Sequence, residues 1–513
     1  MSAVAKSIVV AILGLLVAII LGVQIGQSSW MLPTVVAGGC VGTFIYLALF
    51  RTVRFEALIL GFLIFGYIVG NHGFAQLSIR PNSPLYVGEV GMIACAFFVA
   101  IRGALTRERT IPQIRLAWLI VAFLLVGGVR LYLDTVMLSG STLVTTAIRD
   151  SAVVYYTIFF FIAYQIGKNV SARKFVERMM LMGFVLLIPI AVLAISAPEL
   201  LEKTSFRGYP LIQYKGDLLT TFLGMGAFYF FLTPTRGVIR VFFRICALLS
   251  LILMLFPMSR AALFGFIAAT ALLVLARRPQ FLVYQLSIAM VALLAVALIE
   301  FGHLESQSAF FAKLTDRMSS IVDFSGRGHY SSDIGDMSAA NNQFRAVWWK
   351  TVFDETMQKG PWFGLGFGYD LTAGFLRTYY ANQNLDLTAR SPHNILLTIL
   401  GRMGVTGLAP FLVILFLIIR MAFQGARSVA RGQQPQENLA HWCALINLLG
   451  AALFGVVLEG PMGGILFWSV IGLAASQLSG VKEREKDLLE SAPQRRLQPA
   501  LAETALVSRR GSV

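Results

Sequence analysis

Runs of about 20 consecutive apolar residues, separated by short polar breaks, recur along almost the whole chain. A helix rises ~1.5 Å per residue and the hydrocarbon core of a bilayer is ~30 Å thick, so each run is long enough to cross a membrane. Lipid offers the backbone no hydrogen bonds, and these unbroken runs do not alternate as barrel strands would. The sequence therefore predicts an all-α integral membrane protein.

The composition points to the same class of protein. Of the 513 residues, 57% are hydrophobic and 13% are charged, whereas a soluble protein carries roughly 25% charged residues. The apolar runs indicate about 12–14 transmembrane helices. The candidate spans are 6–26, 30–50, 55–75, 84–101, 116–134, 150–167, 178–197, 216–233, 242–258, 260–276, 281–301, 394–420, 441–459 and 463–480. With fourteen spans, both termini lie on the same side of the membrane.

The basic residues predict the orientation of these spans. If the N-terminus is cytoplasmic, the cytoplasmic loops carry most of the Lys and Arg, for example Arg102, Arg107 and Arg109 in one loop. This is the positive-inside pattern of inner-membrane proteins. Because the net charge of +16 is spread over many such loops, it indicates membrane orientation and not nucleic-acid binding. The four cysteines all fall inside predicted spans, with no metal-binding or disulfide spacing.

The chain divides into four parts on this interpretation. Residues 1–301 form N-terminal transmembrane helices and residues 302–393 form one large loop outside the cytoplasm. Residues 394–480 form C-terminal transmembrane helices, and the polar segment 481–513 is a cytoplasmic tail that we expect to be disordered. About ninety residues is too long for an idle connection, so the loop is the part expected to carry function.

Two features of this loop predict local structure. Phe344, Val347, Trp348 and Val352 recur at helical spacing, which indicates an amphipathic helix. Trp348 and Trp349 are typical of a membrane–water boundary, so we expect this helix to lie on the outer membrane surface.

The second feature is the glycine-rich run GPWFGLGFGYD, residues 360–370. It lacks the lysine of a nucleotide-binding P-loop, and tight turns with a close helix approach explain it better. The loop then ends in Ser391-Pro392-His393-Asn394. Pro392 can start the following helix, and Asn394 can either cap that helix or bond to a substrate.

These motifs together resemble the bacterial O-antigen ligase and polymerase superfamily, which includes exopolysaccharide and capsule polymerases. The resemblance covers about 345–410, and Pro257-Met258-Ser259-Arg260 resembles the Ser-Arg element of that superfamily. Its motif residues in this chain are Arg345, Trp348, Pro361, Gly364, Gly366, Gly368, Ser391, Pro392, His393, Asn394, Gly404 and Gly407. Arg402 departs from the pattern, because many relatives are expected to have an acidic or neutral residue there.

The resemblance implies an enzyme of lipopolysaccharide or exopolysaccharide biosynthesis. The donor is a glycan on an undecaprenyl diphosphate carrier, and the acceptor is a lipid A-core or another lipid-linked glycan. The site faces the periplasm from the bacterial inner membrane. No cofactor or metal is implied, because we see no Asp/Glu pair at ligand spacing near these residues, and the expected reaction inverts the anomeric centre.

The resemblance also implies residue roles that the chemistry supports. Arg260 and Arg207 are assigned to the diphosphate, because a guanidinium donates paired hydrogen bonds to phosphate oxygens. His393 is the candidate general base, since its ordinary pKa is ~6.5. The expected substrate-binding residues are Arg345, Arg390, Asn394 and Tyr209. Interaction with lipid headgroups remains the alternative for the arginines, and an interfacial anchor remains the alternative for Tyr209.

Two other function classes stay open at this point. A transporter or flippase needs ionisable residues deep in its spans, and few such residues are present, among them Glu56, Glu89 and Arg402. A non-catalytic membrane scaffold would not need the Arg and His residues. Ligase and polymerase share donor and fold, so the sequence does not choose between them.

Overall fold

Helices form nearly all the regular structure in the part of the chain that the structure describes. The computed structural model describes residues 53–78, 85–106, 111–137, 141–206, 209–214, 216–254, 256, 259–287, 333–379 and 390–479. The predicted spans 6–26 and 30–50, most of 281–301, and the tail 481–513 lie outside these residues. The other predicted spans each coincide with helical structure.

The helices and two short strands follow in this order. They are α1 (Phe55–Gly70), α2 (His72–Ala75), α3 (Val87–Thr106), α4 (Arg115–Met137), α5 (Ser141–Asp150), α6 (Ala152–Tyr155), α7 (Ile158–Gly167), α8 (Val170–Ser196), α9 (Pro198–Glu202), β1 (Ser205–Phe206), β2 (Tyr209–Pro210), α10 (Gly216–Leu232), α11 (Gly237–Leu253), α12 (Arg260–Leu275), α13 (Asp333–Lys359), α14 (Ala373–Tyr379), α15 (Ile395–Ala430), α16 (Asn438–Ala452) and α17 (Pro461–Ser479). The strands pair as an antiparallel hairpin.

Six helical segments in the described residues are long and apolar enough to cross a membrane. They are Val87–Thr106, Arg115–Met137, Leu143–Gly167, Val170–Ser196, Ile395–Ala430 and Pro461–Ser479. Three shorter apolar helices, α1, α10 and α12, accompany them. This confirms the prediction of an all-α membrane protein; the total of 12–14 spans stays a prediction, because part of the chain lies outside the described residues.

The predicted span 394–420 is not one regular helix. At Gly404 the backbone adopts φ 65° and ψ −159°, which breaks α15 into two helical pieces. The glycine-rich segment fills the break: the carbonyl oxygens of Pro361 and Trp362 accept from the N–H groups of Val405 and Thr406, at 2.9 and 3.1 Å. Irregular backbone at membrane depth survives only where protein covers it, and here the loop covers it.

The predicted amphipathic helix exists as α13, but its apolar face is covered by the loop itself. Trp348 and Val352 are buried against Leu371 and Phe375, which belong to the segment that follows the glycine-rich run. Only 3% of Trp348 is exposed. The interpretation of Trp348 as a membrane-boundary residue is therefore wrong, because its ring completes a small core within the loop.

The predicted span 441–459 is also shorter than expected. The helix α16 ends at Ala452, and turns occupy the residues up to Gly460, before α17 begins at Pro461. In this turn segment the carbonyl of Phe454 accepts a hydrogen bond from Arg345, and the carboxylate of Glu459 accepts from Ser391 and Thr398. This segment is therefore not helical, and its polar groups form hydrogen bonds with the loop that carries His393.

Candidate active site

His393 lies in a backbone conformation that few residues other than glycine adopt. Its φ is 53°, in the left-handed region. A non-glycine residue there is uncommon, and such strain persists only where the surroundings hold the backbone firmly. His393 is half-buried at the start of α15, so the imidazole stands at a rigidly held corner of the chain.

The contacts on both sides of His393 show what holds this corner. The indole Nε1 of Trp349 donates to the carbonyl oxygen of Pro392 at 2.7 Å. Asn394 caps α15, because its Oδ1 accepts from the N–H groups of Leu396 and Leu397 at 3.0 and 3.2 Å. Of the two roles predicted for Asn394, capping is therefore observed.

The ring of His393 packs against α13. The centroids of the His393 and Trp348 rings lie 5.5 Å apart, with the planes inclined at 58°. Trp348 is itself stacked on Phe375 at 5.8 Å. The imidazole is thus positioned by an aromatic side chain that the core of the loop keeps in place.

The half-buried carboxylate of Glu459 supports the same corner from the C-terminal part of the chain. The hydroxyls of Ser391 and Thr398 both donate to the carboxylate of Glu459, the second at 2.7 Å. These two residues lie on either side of His393 in the sequence. Glu459 therefore fixes the entry and the first turn of α15 to the turn segment before α17.

Arg345 forms a second part of the site, also on α13. Its Nη1 donates to the carbonyl oxygen of Phe454 at 2.8 Å. Burial lowers the pKa of the Arg345 guanidinium, and the nearby carboxylate of Asp217 opposes the shift. An arginine remains charged under such a shift, so a half-buried cation stands near the loop corner.

Asp217 also joins Arg345 to the start of α12. The hydroxyl of Ser259 donates to Asp217 Oδ1 at 2.6 Å, and Ser259 is the N-cap residue of α12. Arg260, the first residue of that helix, follows directly and is half-buried. Asp217 therefore links Arg345 to the residue that precedes Arg260.

Arg390 and Arg402 form a third part of the site, around Asp150. Nη1 of Arg402 lies 2.9 Å from Asp150 Oδ2, and Nη2 of Arg390 lies 3.7 Å from the same atom. The Arg402 side chain is 2% exposed, whereas that of Arg390 is 39% exposed. Arg402 also donates to the carbonyl of Tyr369. The Arg402 guanidinium is thus buried and bonded within the protein, whereas part of the Arg390 side chain is accessible to solvent.

The glycine-rich loop is fixed by acidic side chains of the membrane helices. The N–H groups of Phe367 and Gly368 donate to Asp134 and Asp150, at 2.6 and 3.0 Å. At Gly366 φ is 100°, and a Cβ there would lie 2.6 Å from Asp134 Oδ1. The close approach expected of this run is therefore present, here between the loop and α4.

The remaining predicted residues lie elsewhere. Tyr209 lies on β2 and is 58% exposed. Shortly after this strand, the backbone of Gln213 forms hydrogen bonds with Gly70 at the end of α1 and with His72 at the start of α2. His393, by contrast, packs on α13. Arg207 lies outside the described residues, so its assignment stays a prediction. The structure thus gathers His393, Asn394, Arg260, Arg345 and Arg390 around α13 and α15.

Sequence reasoning missed the acidic partners of this site. Asp134, Asp150, Asp217 and Glu459 each bind a loop backbone, an arginine or a hydroxyl that carries the site. A signal was present: acidic residues are rare in and beside membrane spans, and those found there usually pair with a partner. Only the partners could not be read from the sequence.

The arrangement combines one titratable base with several cations. A neutral imidazole can accept a proton near neutral pH, and guanidinium groups bind phosphate oxygens through paired hydrogen bonds. Such a set suits transfer of a group from a phosphate or diphosphate to a hydroxyl.

Comparison with known proteins finds a matching family model. Residues 245–412 match the family model described as O-Antigen ligase. The matched range contains Arg260, Arg345, Arg390 and His393, and it confirms the resemblance to the O-antigen ligase and polymerase superfamily. No curated protein matches the chain significantly.

Proposed function

Because residues 245–412 match an O-antigen ligase family and the chain is a multi-pass membrane protein, we propose that it is a glycosyltransferase of cell-surface polysaccharide assembly. It transfers a glycan from an undecaprenyl diphosphate carrier to an acceptor hydroxyl. The reaction takes place at the periplasmic face of the bacterial inner membrane. The acceptor is a lipid A-core in a ligase, or another lipid-linked glycan in a polymerase.

In this proposal His393 acts as the general base. The acceptor hydroxyl oxygen attacks the anomeric carbon while its proton passes to the imidazole, and the bond from that carbon to the diphosphate oxygen breaks. Attack opposite the leaving group inverts the anomeric centre. The step needs no metal, because cationic side chains can stabilise the charge that develops on the departing diphosphate.

The arginines supply that stabilisation. Arg260 and Arg207 bind the diphosphate, and Arg345 and Arg390 bind the substrate close to it. Asp217 supports this assignment, because it lies beside Arg345 and bonds to the residue preceding Arg260. Asn394 contributes through the cap that holds His393, and Tyr209 remains a candidate for stacking on a sugar.

The observation that carries the proposal is the backbone of His393. A β-carbon-bearing residue held at φ 53°, with bonds to Trp349, Glu459 and α15 on either side of it, indicates a side chain placed for chemistry. A residue that served only to turn the chain would be replaced without loss by glycine or asparagine.

The surface-glycan profile of a deletion strain tests the proposal. Wild type should restore the profile and His393→Ala should not, at equal amounts of protein in the membrane. The residual pattern identifies the acceptor: bare core indicates a ligase, core with one repeat indicates an O-antigen polymerase, and loss of secreted polysaccharide alone indicates an exopolysaccharide polymerase. Full restoration by His393→Ala would overturn the assignment of the base.

A further inference from the structure

Five arginines on two chain segments lie far from the candidate active site, and we call them the arginine cluster. They are Arg236, Arg240 and Arg244, in or directly before α11, and Arg277 and Arg278, shortly after the end of α12. The helix α10 connects the two regions. Asp217 in its first turn bonds to Ser259, whereas Phe231 in its last turn contacts Arg244. Asp217 and Phe231 are about 21 Å apart along the helix, so the cluster belongs to the opposite end of α10.

One aromatic ring holds the two segments of the cluster together. The guanidinium of Arg244 lies over the ring of Phe231, 3.9 Å from its centroid. The centroid of the same ring lies 4.6 Å from that of Phe281, which is three residues after Arg278. The hydroxyl of Tyr284 also donates to the carbonyl oxygen of Arg244 at 3.2 Å. The start of α11 and the chain that follows α12 therefore lie side by side.

The charge of the arginine cluster is not balanced by neighbouring carboxylates in the described part of the chain. Neither 233–244 nor 276–287 contains Asp or Glu. None of the five arginines forms an ion pair with another described residue. Arg240 also lies close enough to Arg244 for the two positive charges to repel each other. A bound anion would relieve this repulsion.

Arg277 has a backbone conformation at which glycine is the usual residue. Its φ is 57°. The N–H groups of Arg277 and Arg278 donate to the carbonyl oxygens of Val274 and Leu273, both at 3.0 Å. This is the Schellman arrangement that ends many helices, and its left-handed position is normally glycine. Because an arginine there strains the backbone, its presence indicates that the side chain is used.

Exposed apolar side chains lie beside the arginines. Val241 and Ile245 each follow an arginine of α11 directly, and Val283 lies in the segment after α12; all three are exposed. On a membrane protein, exposed apolar side chains of this kind meet lipid acyl chains. The same surface therefore offers cations to a headgroup and apolar contacts to a tail.

We propose that the arginine cluster binds the phosphate of an anionic phospholipid, with the acyl chains against Val241 and Ile245. Guanidinium groups donate paired hydrogen bonds to phosphate oxygens, and basic surfaces on the cytoplasmic side of membrane helices hold acidic headgroups. The positive-inside pattern assigns this end of the helices to the cytoplasmic leaflet. A zwitterionic phospholipid fits less well, because its headgroup brings a cation of its own. The inference goes beyond the proposed function and does not depend on it.

Two variants and a matched control test this site. Arg236→Gln/Arg240→Gln removes two exposed cations from the cluster. Arg277→Gly removes a third and also relaxes the strained helix end, so a loss of binding in this variant is not explained by poor folding. The control is Arg427→Gln/Arg431→Gln, because these two arginines are also exposed and four residues apart, at the end of α15.

The measurement is native mass spectrometry of the purified full chain in micelles with equal amounts of dioleoyl phosphatidylglycerol and dioleoyl phosphatidylcholine. We expect wild type to retain phosphatidylglycerol saturably and in preference to phosphatidylcholine. Arg236→Gln/Arg240→Gln should weaken this binding about 30-fold and Arg277→Gly about fivefold, since each arginine near an anionic headgroup changes affinity roughly fivefold. The control should bind as wild type does.

Three outcomes would overturn the inference. The first is equal retention of the two phospholipids by wild type. The second is an equal loss of phosphatidylglycerol in the control and in the cluster variants, which would indicate general attraction to basic residues. The third is preferential retention of undecaprenyl phosphate, added as a competitor, which would assign the cluster to the lipid carrier. Thermal unfolding of Arg277→Gly in the absence of phosphatidylglycerol should occur at or above the wild-type temperature, and a lower temperature would contradict the strain inferred at this position.

Discussion

Arg402 and Asp150 form an ion pair, with Nη1 2.9 Å from Oδ2 and with both side chains almost excluded from solvent. The pair joins the first half of α15 to the end of α5. The same carboxylate accepts from the N–H of Gly368, and the same guanidinium donates to the carbonyl of Tyr369. One ion pair therefore fixes the glycine-rich loop against two membrane helices.

Removing one partner of this pair should strongly destabilise the protein. Arg402→Met leaves the Asp150 charge buried without its main partner, which costs about 3–5 kcal/mol. The double variant Arg402→Met/Asp150→Asn should be less destabilised than the sum of the single variants, because no charge is left unpaired. Thermal unfolding in detergent measures both effects.

The exposed pair Lys350–Asp354 on α13 serves as the control. Its atoms are closer, at 2.5 Å, but the lysine side chain is 77% exposed. Lys350→Met should therefore leave the midpoint of thermal unfolding almost unchanged. Equal effects of Lys350→Met and Arg402→Met would contradict the structural role given to Arg402.

The break in α15 at Gly404 predicts an intolerant glycine. A Cβ there would lie 2.4 Å from the carbonyl oxygen of Trp362, and φ is 65°. Gly404→Ala should destabilise the protein by more than the 1–3 kcal/mol of backbone strain alone, because the loop must also move away from the helix. Gly432→Ala separates the two effects: its φ is 72° but no atom lies within 4 Å, so only the strain should remain.

Gly128 provides the third member of this series. It lies within α4, shows no positive φ, and a Cβ there would meet nothing within 4 Å. Gly128→Ala should leave stability unchanged or raise it by up to about 1 kcal/mol, since alanine favours a helix. The order Gly128, Gly432, Gly404 in rising destabilisation is the expected result of thermal melts. Any other order would contradict the packing at Gly404.

The pKa of Glu355 leads us to expect that stability depends on pH. Although burial raises its pKa, hydrogen bonds from Lys359 and Tyr369, both at 2.6 Å, bring the pKa below its ordinary value. A lowered folded-state pKa stabilises the protein above the unfolded pKa of about 4.3, and this stabilisation is lost as the pH falls through the folded value. Glu355→Gln should therefore lose less stability than wild type on acidification below about pH 5. A parallel decline of both proteins would refute this.

The lowered pKa of Glu355 depends in part on a contact with the glycine-rich segment. Tyr369 is the residue through which the contact reaches the glycine-rich segment. Tyr369→Phe keeps the ring but removes the hydroxyl, so its pH profile should move toward that of Glu355→Gln. Differential scanning fluorimetry over a pH series measures this shift.

Within the described residues, hydropathy was sufficient to predict where helices lie but not where they are interrupted. Gly404 lies in a run of apolar residues, where a glycine normally indicates close helix packing, so nothing local predicts that the helix breaks there. The break depends on carbonyl groups of Pro361 and Trp362, supplied from some forty positions upstream. Local patterns cannot report such partners.

The same reason explains which part of the site was predictable. His393 and the arginines carry recognisable chemistry and matched a family pattern, so their residue types were sufficient to propose them as site residues. The ion pair of Arg402 with Asp150 joins positions far apart in the chain. From the sequence alone, Arg402 could be recognised only as a departure from the family pattern. Trp348 was assigned to the membrane surface because its helical face was known and the segment that covers it was not.

The central claim is that His393 supplies a base and not merely a turn, and purified His393→Asn tests it most directly. Asparagine adopts positive φ readily and hydrogen-bonds, but it cannot take up a proton near neutral pH. We expect His393→Asn and His393→Gly to melt within a few degrees of wild type and to lose glycan transfer by at least about 100-fold in kcat. If either variant transfers glycan at the wild-type rate, His393 is only a structural corner and the proposed mechanism is wrong.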